Sequence, residues 1–252
     1  MPSIRIAAAQ STSVPCDIAA NVLRHTKFII AARLACVDLL VFPELSLTGY
    51  ELPRLRECLI HPNDDYLAPI RDMAHKARMT VVVGAPIGVD SIGLPLIGAI
   101  TFFPNRTHAV YCKQYLHAGE EQYVAPGGEA ENIHALLDQS FAVAICADTT
   151  HPKHAESAVA AGASLYLAGV LVSDAGYPTD SANLHRYAST LNVGVLMSNH
   201  GGPSGGYVSA GKSAFWAPNG ELVIAASGTG NFLVIASNDA GTWSGKILSV
   251  ET

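Results

Sequence analysis

The chain has 252 residues, of which 15 are Lys or Arg and 21 are Asp or Glu, so its formal net charge is −6 at pH 7. Charged residues make up 14% and apolar residues 49% of the chain, whereas an average soluble protein has roughly 25% charged residues. This apolar composition excludes a disordered chain. It predicts one domain over residues 1–252, with a wide core or with a face covered by a partner subunit. The acidic balance argues against nucleic acid and favours a small-molecule partner, while no apolar run approaches the roughly 18 residues that cross a bilayer and no signal-peptide core is present, which predicts a cytoplasmic protein without membrane contact.

The first part of the chain predicts a β-α-β unit. Residues 3–9 alternate in the manner of a strand, and Asp17 is a predicted N-cap for the helix that follows. The apolar residues 37–42 predict a second strand, which Pro43 ends because proline cannot donate to a ladder. Glu44 therefore lies just past a strand's carboxyl end, which is where ligands bind in open α/β sheets.

The rest of the chain mixes crossovers with hairpins. A helix at 66–78 and a strand at 80–85 continue the alternation, and the turn at 104–106 predicts a hairpin of strands 94–103 and 107–112. After a polar loop at 119–129, strands are predicted at 132–136, 141–145, 164–168 and 193–198, helices at 155–161 and 181–191, and strands and turns in the last quarter. This mixture predicts an α/β or α+β sandwich with large mixed sheets.

Three predicted strands deliver chemically useful side chains at their ends: Glu44, Lys113 and Cys146. A carboxylate can accept the proton of a thiol, and a nearby cation stabilises the thiolate. Taken singly, each has a simpler interpretation: Cys146 as an inert core thiol, Glu44 as a cap and Lys113 as an edge charge. The five cysteines contain no CxxC pair and are odd in number, which predicts reduced thiols rather than a disulfide framework or a zinc site.

Taken in order, three segments resemble the motifs of the nitrilase (carbon–nitrogen hydrolase) superfamily: Val41-Phe-Pro-Glu-Leu-Ser-Leu-Thr-Gly-Tyr50, Tyr111-Cys-Lys113 and Val143-Ala-Ile-Cys-Ala-Asp148. Residues 4–10, 198–200, 211–213 and 218–220 are similar to other segments of that family, so the resemblance covers nearly the whole chain. It implies that Glu44 is the general base, Lys113 the oxyanion-stabilising lysine and Cys146 the nucleophile. The family's further glutamate is matched by Glu120, with the adjacent Glu121 left open.

The resemblance also implies a fold and a reaction. The fold is a four-layer α-β-β-α sandwich with two mixed β-sheets, paired in a homodimer or higher homo-oligomer, and no cofactor or metal is needed. The reaction is hydrolysis of a non-peptide carbon–nitrogen bond of a small linear amide through a Cys thioester, with the Ala147 N–H facing the oxyanion and His200 lining the pocket. The family's usual Arg and Glu are replaced by Thr150 and Lys153, so an N-carbamoyl compound or a nitrile stays open as the substrate.

Several rival interpretations use the same residues. Residues 206–213 satisfy the P-loop pattern of nucleotide-binding proteins, but no strand leads directly into them and Pro218 stops a following helix. A metal cluster is conceivable at Asp148, His151 and His154, and Cys146 could form a dyad with His117, His154 or His200. A catalytically idle binding module is the remaining rival.

Overall fold

A computed structural model describes residues 3–89, 93–128 and 132–252, and within these ranges it contains thirteen β-strands and four α-helices. In chain order they are β1 (Ile4–Gln10), α1 (Ile18–Leu34), β2 (Leu39–Val41), α2 (Ala68–Ala77), β3 (Thr80–Ile87), β4 (Leu96–Phe102), β5 (His108–Cys112), β6 (His134–Leu136), β7 (Gln139–Ile145), α3 (Pro152–Ala160), β8 (Leu165–Val170), α4 (Tyr177–Leu191), β9 (Gly194–Asn199), β10 (Ala214–Trp216), β11 (Leu222–Ala225), β12 (Phe232–Asp239) and β13 (Thr242–Ser249). Short 3-10 helices lie at Leu52–Glu57, Asp65–Leu67, Glu120–Gln122 and Cys146–Thr150.

The strands form two mixed sheets that pack face to face. The first sheet has the order β13-β12-β1-β2-β3-β4-β5 and the second the order β11-β10-β9-β8-β7-β6. In each sheet three strands are parallel, β1 to β3 in one and β7 to β9 in the other, and the remaining pairs are antiparallel. Helices α1 and α2 cover the first sheet, while α3 and α4 cover the second. The expected four-layer α-β-β-α sandwich is confirmed.

Both faces of the central strands are buried, which explains the apolar composition. In β1, Ile4, Ile6 and Ala8 point into the core between the sheets, whereas Ala7 and Ala9 point towards α1 and α2. The two sheets are also joined by a hydrogen bond, because Ser198 of β9 donates to the backbone oxygen of Val41 of β2 at 2.8 Å. This link aligns the carboxyl end of β2 with the second sheet.

Local signals set the helix starts. Asp17 accepts the N–H of Ala20 at 2.9 Å, so the predicted N-cap of α1 is confirmed. Helices α3 and α4 begin three and four residues before the predicted 155 and 181, because Pro152 and Pro178 occupy their first turns, where the missing N–H costs no hydrogen bond. No helix of the described ranges is both long and apolar enough to span a membrane.

Two predicted segments differ from the structure. The loop predicted at 119–129 contains the 3-10 helix Glu120–Gln122, and residue 129 lies outside the described residues. Residues 206–213 lead into the strand β10 and not into a helix. They therefore lack the helix N-terminus that a phosphate-binding P-loop requires, and the nucleotide-binding interpretation is wrong.

Candidate active site

The three strand ends singled out in the sequence meet at one place between the sheets. Lys113 follows β5 directly and Cys146 follows β7 directly, while Glu44 comes three residues after the end of β2. The Nζ of Lys113 donates to Oε1 of Glu44 and to Oε1 of Glu120, both at 2.7 Å. All four residues are buried. One ammonium group is therefore shared by two carboxylates away from water.

The turn that carries Glu44 is fixed by close backbone contacts. A Cβ on Gly84 of β3 would lie 2.3 Å from the Pro43 oxygen and from the Leu45 nitrogen, so only glycine lets β3 pass so near. Leu45 has a positive φ of 50°, a conformation that costs energy for a branched side chain and is held by its surroundings. Glu44 is thus placed by the shape of its turn.

His200 supports this turn from behind. Its Nε2 lies 2.7 Å from the backbone oxygen of Glu44, and since a carbonyl only accepts, Nε2 carries the proton. Its Nδ1 is buried without a hydrogen-bond partner in the described part of the chain, and burial lowers the pKa of His200 to about 4, so the ring is neutral. The structure therefore places His200 beneath Glu44 and not on the pocket wall where the sequence analysis expected it.

Cys146 occupies a sharp turn between β7 and the 3-10 helix Cys146–Thr150. Its φ is +41°, the left-handed region that residues with a side chain adopt only where the surrounding structure compels it. Ala147 comes next in the first turn of the 3-10 helix, where backbone N–H groups have no partner within the helix. A substrate oxygen beside Cys146 would therefore find a backbone donor.

Asp148 is a positioning residue whose role the sequence analysis missed. Its Oδ2 accepts the N–H of Ile145 at 2.9 Å, and its Oδ1 accepts the N–H groups of Gln114 and Tyr115 at 3.1 and 3.0 Å. One carboxylate thus ties the segment after Lys113 to the turn of the thiol. Its place two residues after Cys146 was the available signal, but it was considered only as a metal ligand.

The candidate metal cluster is a hydrogen-bonded network instead. The Tyr111 hydroxyl donates to Asp148 at 2.7 Å and accepts from Nε2 of His154 at 2.8 Å, and Nδ1 of His154 accepts from Tyr166 at 2.8 Å. His151 stacks on another ring, that of Tyr115. Because Asp148 and His154 are hydrogen-bonded within this network, they are not free to coordinate, and no group of three potential metal ligands occurs among the described residues. The metal interpretation is wrong.

The structure distinguishes the two neighbouring glutamates. Glu120 accepts hydrogen bonds from Lys113, from the backbone N–H of His117 at 2.8 Å and from the Tyr50 hydroxyl. Glu121 is exposed and accepts the N–H of Gly119 at 2.7 Å. Only Glu120 reaches the lysine, and three donors hold it there.

His117 is the histidine that reaches the thiol. Its Nε2 lies 3.3 Å from Sγ of Cys146, whereas the rings of His154 and His200 are bonded elsewhere. Burial and the Lys113 charge lower the pKa of His117, so its imidazole is neutral near pH 7. It can accept the thiol proton or donate to a thiolate, depending on the tautomer.

The electrostatics of the cluster leave one carboxylate oxygen open. Burial raises the pKa of Glu44 to about 7 against the opposing effect of Lys113, and the Glu120 charge adds to the rise. Burial and the Glu44 charge raise the pKa of the Cys146 thiol well above its usual value, with Lys113 opposing. Oε2 of Glu44 has no hydrogen-bond partner in the described ranges. At rest the thiol therefore keeps its proton, and a free carboxylate oxygen is available to take it.

A cavity of about 580 Å³ lies over the thiol. Its wall combines aromatic and aliphatic side chains with a few polar ones: Tyr50, Leu52, His117, Glu120, Tyr123, Cys146, Leu171, Ser173, Asp180 and Tyr207 among others. Such a pocket, in which apolar side chains lie beside several polar groups, suits a small organic molecule.

Comparisons with known proteins show the family and the fold of the chain. A family model described as carbon-nitrogen hydrolase matches residues 5–245. Solved structures of an amidase from Nesterenkonia sp. AN1, of the nitrilase superfamily, are 23% identical to this chain: a cysteine-to-serine mutant covers 94% of this chain and 92% of its own with a TM-score of 0.86, and a cysteine-to-alanine mutant in complex with butyramide gives the same values. A glutamate-to-glutamine mutant, which shows covalent addition of the acetamide moiety of fluoroacetamide at the active site cysteine, is 23% identical, covers 92% of this chain and 89% of its own, and has a TM-score of 0.84. At this identity these structures show a shared fold.

Proposed function

The chain belongs to the carbon–nitrogen hydrolase family, and within it we propose that the protein hydrolyses a small linear amide through a thioester on Cys146. The observation that carries this proposal is the buried cluster of Glu44, Lys113 and Glu120, because Glu120 lines the same cavity as the thiol of Cys146. A carboxylate with a free oxygen, a cation and a thiol are the groups that acyl transfer to sulfur requires.

In the first step Glu44 takes the thiol proton while the sulfur attacks the amide carbon. The free Oε2 of Glu44 is the acceptor, and the raised pKa values of both groups mean that neither ionises alone without cost. If the proton moves while the carbon–sulfur bond forms, no unpaired thiolate ion has to exist in the buried site. The products of the step are a neutral Glu44 and a tetrahedral oxyanion.

Lys113 and the Ala147 backbone are the proposed oxyanion donors. An ammonium group has three N–H donors, and the two carboxylates take two of the three on Lys113. The third N–H, with the Ala147 N–H at the start of the 3-10 helix, faces the developing charge. A donor of this kind stabilises the transition state by about 2.7 to 4 kcal/mol in comparable sites.

Collapse of the intermediate completes the reaction. Glu44 returns its proton to the leaving nitrogen, the carbon–nitrogen bond breaks, and ammonia or an amine departs from a thioester on Cys146. Glu44 then deprotonates a water that attacks the thioester carbon, and the sulfur leaves as a thiol with that proton. Glu120 keeps Lys113 oriented throughout, because it is itself held by the Tyr50 hydroxyl and the His117 N–H.

A second candidate mechanism is favoured by one contact, the 3.3 Å between Nε2 of His117 and Sγ of Cys146. In it His117 serves as the base, as in a Cys–His dyad. We assign the main base to Glu44 because its second oxygen is unpartnered and buried, whereas His117 lies at the more exposed mouth of the cavity. The kinetics of Glu44→Gln and His117→Gln separate the two mechanisms.

The substrate class rests on the cavity and on the related amidase. A mutant of that amidase is in complex with butyramide, and another shows covalent addition of the acetamide moiety of fluoroacetamide at the active site cysteine. Both observations support small linear amides and a covalent step here. N-carbamoyl compounds and nitriles are the alternatives to be tested alongside. A homodimer and a cytoplasmic location stay predictions, the first checked by light scattering of the purified protein.

The test combines turnover with detection of the covalent intermediate. The protein is incubated with a panel of linear amides, N-carbamoyl compounds and nitriles, ammonia is measured, and intact mass spectrometry looks for an acyl adduct. We expect ammonia from amides, an acyl adduct in the unmutated protein quenched during turnover, and neither signal in Cys146→Ala. Cys112→Ser is the matched control, because that thiol adjoins Lys113 in sequence but is not part of the cavity wall. Full turnover in Cys146→Ala would refute the proposal.

A further inference from the structure

Two cysteines outside the active site touch each other. Sγ of Cys16 and Sγ of Cys58 are 3.6 Å apart, although the residues are 42 positions apart in the chain. Both are free thiols, as is the exposed Cys36. Cysteines that serve only packing have no need to pair in this way, and we propose that Cys16 and Cys58 form a reversible disulfide that clamps one wall of the active-site cavity.

The backbone geometry allows the bond. Cys16 precedes α1 and donates its N–H to the Thr48 oxygen at 2.7 Å, and Cys58 follows the 3-10 helix Leu52–Glu57 and donates its N–H to Leu55 at 3.2 Å. A disulfide needs the sulfur atoms at about 2.05 Å. Because both backbones are held and the sulfurs already touch, side-chain rotation with a small backbone shift brings them to that distance.

The surroundings assign the two thiols different tasks. Cys16 is half-buried and open to an oxidant, whereas Cys58 is buried, and burial together with the contact with Cys16 raises its pKa to about 12. Cys16 is therefore the attacking thiol and Cys58 the resolving one.

The oxidant is a hydroperoxide or a small-molecule disulfide such as glutathione disulfide. With hydrogen peroxide, the Cys16 sulfur attacks one oxygen, the O–O bond breaks, the thiol proton goes to the departing oxygen, and a sulfenic acid and water form. Cys58 then attacks that sulfur, a second water leaves, and the two sulfurs are joined while the peroxide is reduced. With glutathione disulfide, a mixed disulfide forms on Cys16 and Cys58 displaces the second glutathione.

The bond would close a loop that contains catalytic parts of the protein. The segment between the two cysteines includes β2, Glu44 and Tyr50, and the 3-10 helix just before Cys58 begins with Leu52 of the cavity wall. Oxidation therefore tethers that wall to the start of α1. We expect the disulfide to change mainly KM, because Leu52 lines the substrate cavity while Glu44 is fixed independently by its turn. The change in KM rests on the proposed amidase function, whereas the formation of the bond does not.

The bond is tested by mass spectrometry without any need for turnover. Cys146→Ala protein, which lacks the nucleophile, is equilibrated in glutathione redox buffers, alkylated and digested without reduction. We expect a loss of about 2 Da, the two thiol hydrogens, a peptide that links Cys16 to Cys58, and reversal by dithiothreitol. Cys36→Ser should still form the link, and Cys58→Ser should instead accumulate glutathione on Cys16. The proposal would be overturned if both thiols stayed free in oxidising buffer or if the link formed through another cysteine. If a variant fails to fold, the unmutated protein gives the same readout.

The clamp is tested on the enzyme with its nucleophile present. Oxidation should raise the melting temperature by a few degrees, since the crosslink restricts the unfolded chain, and shift KM at least about twofold, with both effects absent in Cys58→Ser. An unchanged KM with the bond present would refute the clamp and leave the disulfide standing. Absent turnover in the reduced enzyme would instead refute the amidase proposal.

Discussion

Replacing Glu44 with Gln isolates proton transfer from every other feature of the site. The amide oxygen of Gln can still accept from Lys113 in place of the carboxylate, 2.7 Å away in the native site, but the side chain can no longer take a proton through Oε2. General base catalysis contributes about a hundredfold to ten-thousandfold, equivalent to about 2.7 to 5.5 kcal/mol. We therefore expect kcat of Glu44→Gln to fall by that factor with little change in KM.

The pH profile supplies the second readout of the same variant. With a pKa of about 7, Glu44 is about half ionised at pH 7 and about one tenth ionised at pH 6. The kcat/KM of the unmutated enzyme should thus rise roughly tenfold per unit below pH 7 and level off above it, and Glu44→Gln should lose this rise. Ammonia release in a series of buffers measures both profiles, with Glu121→Gln as the matched exposed control.

The stability of the unmutated protein should fall with rising pH, whereas its kcat/KM should rise. The carboxyl of Glu44 loses its proton near pH 4.5 in the unfolded chain but only near pH 7 in the folded one, so the folded state binds more protons between these values and its free energy of unfolding falls as pH rises through them. Gln cannot ionise, so the melting temperature of Glu44→Gln should rise relative to that of the unmutated protein as the pH increases from about 4.5 to about 7.

A Glu44→Gln variant that kept both the native kcat and the rise of kcat/KM below pH 7 would refute Glu44 as the base.

Three further substitutions test the positions around the base. His117→Gln should reduce kcat/KM less than about tenfold and keep the acidic limb, and a loss above a hundredfold would favour the Cys–His dyad instead. Gly84→Ala should lose most activity and melt several degrees lower, because its Cβ would meet backbone at 2.3 Å, whereas Gly228→Ala, which meets nothing within 4 Å, should change neither. Asp148→Asn should lower the free energy of unfolding, measured in urea, by about 1 to 3 kcal/mol, because an NH₂ group cannot accept the buried N–H that bonds to Oδ2. It should also lower kcat. An unchanged free energy of unfolding would contradict the positioning role of Asp148.

Much of the site followed from local signals in the chain. A predicted strand with a chemically useful residue just beyond its end recurs at Glu44, Lys113 and Cys146. Such patterns depend on residues near in sequence, as does the Asp17 cap of α1. The order of the strand-end motifs also carried the family and hence the four-layer fold, both of which the comparisons confirmed.

Other features depended on contacts that no spacing encodes. Glu120 and Glu121 are adjacent and chemically identical, and only the direction of the 3-10 helix brings the first to Lys113. The histidines were equally ambiguous: His117 reaches the thiol, while His200 bonds the backbone beneath Glu44. In each case the folded structure decides which of the candidate side chains reaches the catalytic group.

The sequence by itself determined which residue types end which strands, and with them the chemistry of an acid, a cation and a thiol. The tertiary structure alone decided how they meet. Glu44 and Lys113 are 69 positions apart, Glu44 and His200 are 156 apart, and the thiols of Cys16 and Cys58 are 42 apart. Strand formation is governed by neighbouring residues, whereas these contacts arise only in the folded chain. The Glu44–Lys113 contact requires β2 and β5 to lie in one sheet, and the Glu44–His200 contact requires the second sheet to pack on the first.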